Sequence, residues 1–142
     1  MSDTFLRAHV SLLAGLVPLL VRLFPLPQLL KLLTPPARRT PYRSVAPERV
    51  VEIVQRRLAD PRHMRRRACL REGITAFHFL SLAGFEPELR FGVFPPGPAQ
   101  RRMHAHCWIE LDGRALTAPP AGPCPEMMRY RRAGGLAKAT AQ

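Results

Sequence analysis

The sequence predicts an α+β domain, with N-terminal helices followed by a helix that carries a cysteine and packs on a small antiparallel sheet. Three observations carry this. Apolar residues recur three and four apart as far as Ala83, the period changes to alternation at Leu89, and an Asp112-Gly113 pair marks a tight hairpin beyond it. Helices first and strands afterwards form an α+β fold rather than a βαβ one. At 142 residues the chain is long enough to bury a core without disulfides or a metal. The divisions read as a helical N-terminal region over 1–46, a core over 47–118, and a basic, Pro/Gly-containing tail over 119–142 that composition reads as weakly ordered.

Leu6, Val10, Leu13, Val17, Leu20 and Phe24 form one apolar stripe, so a first helix is expected over about Thr4–Phe24. Pro25 and Pro27 separate it from a second, Pro27–Leu33, which Thr34-Pro35-Pro36 stops. Pro47 at a first helical position, followed by Glu48, starts a third helix that runs to about Leu58 with Val50, Val51, Val54 and Leu58 inward. A fourth is expected from about Arg66 to Ala83, closed by Gly84, with Leu70, Ile74, Phe77 and Leu80 as its stripe. Gly73 inside it is unfavourable by about 1 kcal/mol against alanine and points to a close approach there. Strands are expected over 89–93, 103–111 and 114–117.

Lys and Arg number 22 against 10 Asp and Glu, a formal net charge of +12. Such a surface suits nucleic acid, an anionic membrane or an acidic polypeptide. The arginines are spread along the chain without an aromatic-interleaved platform or a reading helix, which argues against nucleic acid. The Val10–Phe24 run is short of the ~20 apolar residues of a bilayer span, contains Pro18 and Arg22 and lacks a small-x-small cleavage site. A buried or partner-facing helix is expected, with a peripheral membrane role left open. Cys69, Cys107 and Cys124 are odd in number and show no CxxC spacing, which fits free thiols in a reducing, cytoplasmic setting. No two have ligand spacing, so no metal or other cofactor is expected.

Cys69 falls in the first turn of the fourth helix, where the dipole and Arg65, Arg66, Arg67 and Arg71 favour a thiolate. Taken singly it reads equally as a small buried apolar residue. On the 103–111 strand, His104, His106, Trp108 and Glu110 share one face and Cys107, Ile109 and Leu111 the other. The first face is expected to meet the cysteine helix and bring His106 to Cys69. The second is expected to pack on the N-terminal helices. His106 also reads as a structural sheet histidine, and Cys107 as core.

Ala68-Cys69-Leu70, then Leu89-Arg90-Phe91-Gly92-Val93, then Ala105-His106-Cys107-Trp108-Ile109-Glu110-Leu111-Asp112-Gly113-Arg114 resembles the lasso-peptide maturation peptidases, from about Arg67 to Leu116. These are small members of the transglutaminase-like, papain-related superfamily. The resemblance implies that Cys69 is a nucleophile and His106 its general base and acid. Trp108, Arg67 and Arg71 would lie beside the substrate. That substrate would be a ribosomally made precursor whose leader is removed, with a separate leader-recognition protein and an ATP-dependent macrocyclase as partners.

The chain departs from that pattern at Cys107, where the family usually has alanine, and at Arg114–Pro119, where it has an aspartate. Thr117, Glu126 and Glu110 are the candidates to orient His106 in its place. Loss of an orienting aspartate in another triad was worth about 10⁴-fold. A catalytically impaired protein that binds precursor or partner without cleaving it is therefore the alternative. Acyl transfer on the same residues is a further one.

Overall fold

The computed structural model describes residues 3–59, 68–98 and 103–138. Four helices, α1 (Asp3–Leu23), α2 (Leu26–Leu32), α3 (Pro47–Leu58) and α4 (Ala68–Leu82), precede five strands. These are β1 (Glu88–Phe94), β2 (His104–Leu111), β3 (Arg114–Ala115), β4 (Glu126–Arg131) and β5 (Gly135–Lys138). They form one antiparallel sheet in the order β3-β2-β1-β4-β5. This is the α+β class that the sequence predicts.

The helix ends follow local chemistry. Pro47 opens α3 within the first turn, where an amide hydrogen has no intrahelical partner. Gly84 closes α4 at φ +88°, with Gly84 N–H donating to the Ser81 carbonyl and Phe85 N–H to that of Leu80. That paired closure needs a left-handed residue, which glycine supplies without a Cβ penalty. The expected Arg66 start of α4 and the Asp60-Pro61 stop of α3 lie outside the described residues.

Helix α4 is central. Gly73–Phe77 and Phe79–Leu82 are buried, since α1 and α3 pack on one side and β1 and β2 on the other. An all-round apolar helix is one that other elements enclose. At Gly73 the sheet comes close: a Cβ there would stand 2.8 Å from Leu89 Cδ1 and 3.0 Å from Cys107 Sγ. The approach is by side chains of β1 and β2.

This contact corrects the expected facing of β2. Helix α4 covers the Cys107 and Ile109 side, and the N-terminal helices lie behind α4. The reason is that α4 itself needs cover on two sides, so it takes the wholly apolar face of the strand. The opposite face carries Trp108, Glu110 and a charge cluster in which Arg90 meets Glu88 at 3.1 Å, Glu110 at 3.1 Å and Glu126 at 3.0 Å.

Two further differences bear on the site. The tail, read from composition as weakly ordered, supplies β4 and β5, with β4 pairing β1 and burying Tyr130 against Phe77. Its proline and arginine content hides a strand whose inward residues are few. Strand β3 is only two residues long, so the β2–β3 ladder ends at Glu110 opposite Ala115. The turn between them has Asp112 at φ +51° and Gly113 at φ +78°, a primed two-residue hairpin.

The described part of helix α1 starts at Asp3, in line with the expected helix over Thr4–Phe24, and at 21 residues it is long and apolar enough to cross a membrane, which the Val10–Phe24 run alone is not. Leu6, Val10, Leu13, Ala14 and Val17 are buried in the fold, whereas Leu12, Leu16, Leu19 and Leu23 are exposed.

Candidate active site

Cys69 lies two residues into the described part of α4, toward its N-terminal end, where the helix dipole favours an anion. It sits beside the outer edge of β2, beyond the point where β3 stops. Amides two apart on a strand point the same way. The Ile109 N–H and carbonyl face that outer edge, meeting Thr117 Oγ1 and Leu116 N. The Cys107 N–H therefore faces outward too, and it donates to the Cys69 sulfur.

Three groups converge on that sulfur: the Cys107 thiol, the Cys107 N–H and the His106 ring. The Cys107 thiol also lies 2.9 Å from the Cys69 carbonyl oxygen. These interactions bring the Cys69 thiol down to about 5, the Cys107 thiol contributing most and burial opposing. Cys107 itself is pushed up, because the Cys69 side chain lies beside it and because it is buried. The two neighbouring thiols are thus driven in opposite directions, Cys69 toward the anion and Cys107 toward the protonated form. A thiolate is the reactive form of cysteine.

His106 is half-buried at the start of β2, and its Nε2 lies 2.9 Å from the Ala118 carbonyl oxygen. A carbonyl only accepts, so Nε2 carries the proton and the lone pair is on Nδ1. Trp108 covers the ring with centroids 6.0 Å apart and planes at 19°, and Phe94 lies 6.3 Å away.

The sequence-derived orienting candidates have other partners. Thr117 Oγ1 accepts from Ile109 N at 2.9 Å, and Glu110 accepts from Trp108 Nε1 at 3.1 Å and pairs with Arg90. Glu126 binds Arg90 at 3.0 Å and Arg129 at 2.9 Å. The neighbours of His106 on the open edge are instead backbone. Arg71 lies on α4, its carbonyl accepting from Thr75 Oγ1 at 2.7 Å. Arg67, with Arg65 and Arg66, lies outside the described residues.

A cleft of about 710 Å³ opens over the thiol. Leu26, Leu70, Phe91, Val93, Met127 and Met128 give it an apolar wall, and Cys69, His104 and His106 its polar groups. Leu26 from α2 and the two methionines from β4 were not legible as site residues. The Gly134-Gly135 pair, a turn signal between two short runs, was the available hint of a C-terminal hairpin. Cys124 sits apart, half-buried against Gly92, with its thiol pushed up by burial. Among the described residues no group of three or more His, Cys, Asp and Glu is placed to hold a metal ion.

A helix-borne thiolate with a strand-borne histidine beside it suits acyl transfer through sulfur. The family model of the transglutaminase-like superfamily matches residues 13–125, most of the chain. The chain belongs to the transglutaminase-like superfamily. The matched span holds α2 to β3 and both site residues, so the transglutaminase-like core is the part that carries the thiol and the histidine, while β4 and β5 lie beyond it. No curated protein and no solved structure matches the chain.

Proposed function

We propose that this transglutaminase-like protein is a cysteine peptidase that removes the leader from a ribosomally made, lasso-type precursor peptide. The observation that carries the reading is the Cys69 thiol, held toward the thiolate beside His106 at the floor of an apolar cleft. The superfamily commonly includes cysteine peptidases, and the lasso-peptide branch is suggested by the Ala68–Leu70 and Ala105–Arg114 segments.

In the proposed reaction the Cys69 thiol gives its proton to His106 Nδ1, and the thiolate attacks the scissile carbonyl. The oxyanion is held by backbone N–H groups at the start of α4. Collapse breaks the C–N bond as His106 returns its proton to the departing amine, leaving an acyl-enzyme. His106 then takes a proton from water, whose attack on the thioester releases the acid and restores the thiol. The proposed partners are a leader-recognition protein and an ATP-dependent macrocyclase, and the proposed setting is the cytoplasm, where free thiols stay reduced.

A second reading, a protein that binds precursor without cutting it, draws on the engagement of Glu110, Glu126 and Thr117 elsewhere. Incubation of precursor with the protein and its leader-recognition partner, followed by mass spectrometry, decides between them. Leader cleavage lost in Cys69→Ala and His106→Ala supports the peptidase. Undiminished cleavage by Cys69→Ala overturns it, and binding without any cleavage by the wild type favours the second reading.

A further inference from the structure

We infer that the orienting group for His106 is the backbone carbonyl of Ala118 and that Thr117 is the positioning residue that aims it. The inference rests on the reading of Cys69 and His106 as nucleophile and base. It supplies the member of the site that no side-chain carboxylate among the described residues provides.

The β2–β3 ladder ends early. After Glu110 and Ala115, one more backbone bond forms, from Leu116 N to the Ile109 carbonyl at 2.9 Å. The next donor on β2, Ile109 N–H, is met by the hydroxyl of Thr117 at 2.9 Å rather than by a backbone carbonyl. Thr117 is 7% exposed, so that N–H has little water to turn to if the hydroxyl is removed. Because a side chain closes the ladder, the backbone at 117–118 is released from strand geometry. The following carbonyl, that of Ala118, then reaches His106 Nε2 at 2.9 Å.

The consequence is tautomer control without charge. With Nε2–H donating to Ala118, Nδ1 is the nitrogen that receives the thiol proton and later gives it to the amine, while the Nε2 proton stays in place throughout. Trp108 stacked on the ring restricts the remaining freedom of the imidazole. A carboxylate would do the same work with a full negative charge. Here the acceptor belongs to the main chain, so no substitution of Ala118 deletes it, and Thr117 is the side chain through which it is tested.

The test is the ¹⁵N spectrum of the histidine rings in the full-length protein, with His106 assigned by comparison with His106→Gln. The wild type and Cys69→Ala are both expected to show His106 as the Nε2–H tautomer when neutral. Thr117→Val is expected to give a mixture of tautomers and to slow iodoacetamide alkylation of Cys69 at pH 6 by about tenfold, as thiolate formation weakens. Thr117→Ser is expected to stay within about twofold of the wild type by restoring the hydroxyl.

A wild-type His106 protonated on Nδ1 overturns the inference, as does a folded Thr117→Val that keeps both the tautomer and the alkylation rate. Should Thr117→Val fail to fold, the tautomers of the wild type and Thr117→Ser decide. Failure of the peptidase reading has a different signature: the Nε2–H tautomer persists in Cys69→Ala while the wild type leaves precursor uncut.

Discussion

The Cys107 thiol donates to the carbonyl oxygen of Cys69 at 2.9 Å and lies beside the Cys69 sulfur, whose titration it lowers. Two cysteines 38 positions apart are therefore coupled: the buried Cys107 thiol is pushed up while the Cys69 thiol beside it is brought down. Alternation along β2 places Cys107 and His106 on opposite faces, yet both reach the same sulfur. This is possible because Cys69 sits at the open edge of the strand, where groups from either face and the backbone between them converge.

The first expected outcome concerns the thiolate itself. Iodoacetamide should alkylate Cys69 with a pH midpoint near 5, well below an ordinary thiol, located by peptide mass spectrometry. The sign follows from the lowered value: the anion is present above that midpoint and lost as the pH falls through it. An ordinary midpoint would remove the basis of the proposed chemistry.

Replacing Cys107 by alanine should move that midpoint upward, since the Cys107 thiol is the largest influence lowering it. The Cys107 N–H and His106 remain, so the midpoint should stay below that of an unfolded thiol. The same alkylation profile measures the change, and a midpoint that does not move would show the sulfur–sulfur contact to be inconsequential.

Gly73→Ala tests the packing under the site. The added methyl would stand 2.8 Å from Leu89 Cδ1 and 3.0 Å from Cys107 Sγ in a buried layer. Overpacking of this kind costs about 1–3 kcal/mol, against a gain of about 1 kcal/mol in helix propensity. A lowered melting temperature together with a shifted Cys69 midpoint is expected, because Cys107 must give way. An unchanged pair of values would show that Leu89 and Cys107 relax freely.

Acid sensitivity of the helical half should arise from His9 and His78. Burial lowers both, and their rings meet edge to face with centroids 6.2 Å apart. The unfolded chain takes up protons first as the pH drops, so stability from these groups is complete above about 6.5 and lost below it. His78 Nδ1 donates to the Leu33 carbonyl at 2.7 Å, so the neutral ring still has a role to lose. Melting temperatures of the wild type should fall between pH 7 and 5 more steeply than those of His78→Gln.

Arg90→Leu should destabilise the sheet. Three carboxylates, Glu88, Glu110 and Glu126, face this one guanidinium, each less than a quarter exposed. Removing one partner of a buried ion pair costs about 3–5 kcal/mol, and the loss is smaller here because water reaches the cluster. A lowered denaturant midpoint measures it, and an unchanged midpoint would show the cluster to be inconsequential for stability.

Much of the fold was legible locally. The bounds of α3 follow from Pro47 and the valine stripe, the end of α4 from Gly84, and the hairpin from Asp112-Gly113, each a short-range steric or hydrogen-bonding constraint. The tail was not, because β4 is stabilised by pairing with β1 some forty positions earlier rather than by a pattern of its own. The facing of β2 differs from the expectation for a related reason. Alternation sorts side chains into two sets but does not say which set meets which helix.

By itself the sequence determined the four helices, the β1 and β2 strands, the candidate pairing of Cys69 with His106 and the lack of an aspartate over Arg114–Pro119, all of which depend on residue identity and near neighbours. The tertiary structure decided what surrounds that pair: that Cys107 is a partner of Cys69, that Leu26 and Met127 wall the cleft, and that the Ala118 carbonyl meets His106. A backbone carbonyl is the same in every residue, so no letter of the sequence can announce it. Its direction is fixed only when β3 ends and Thr117 turns the chain.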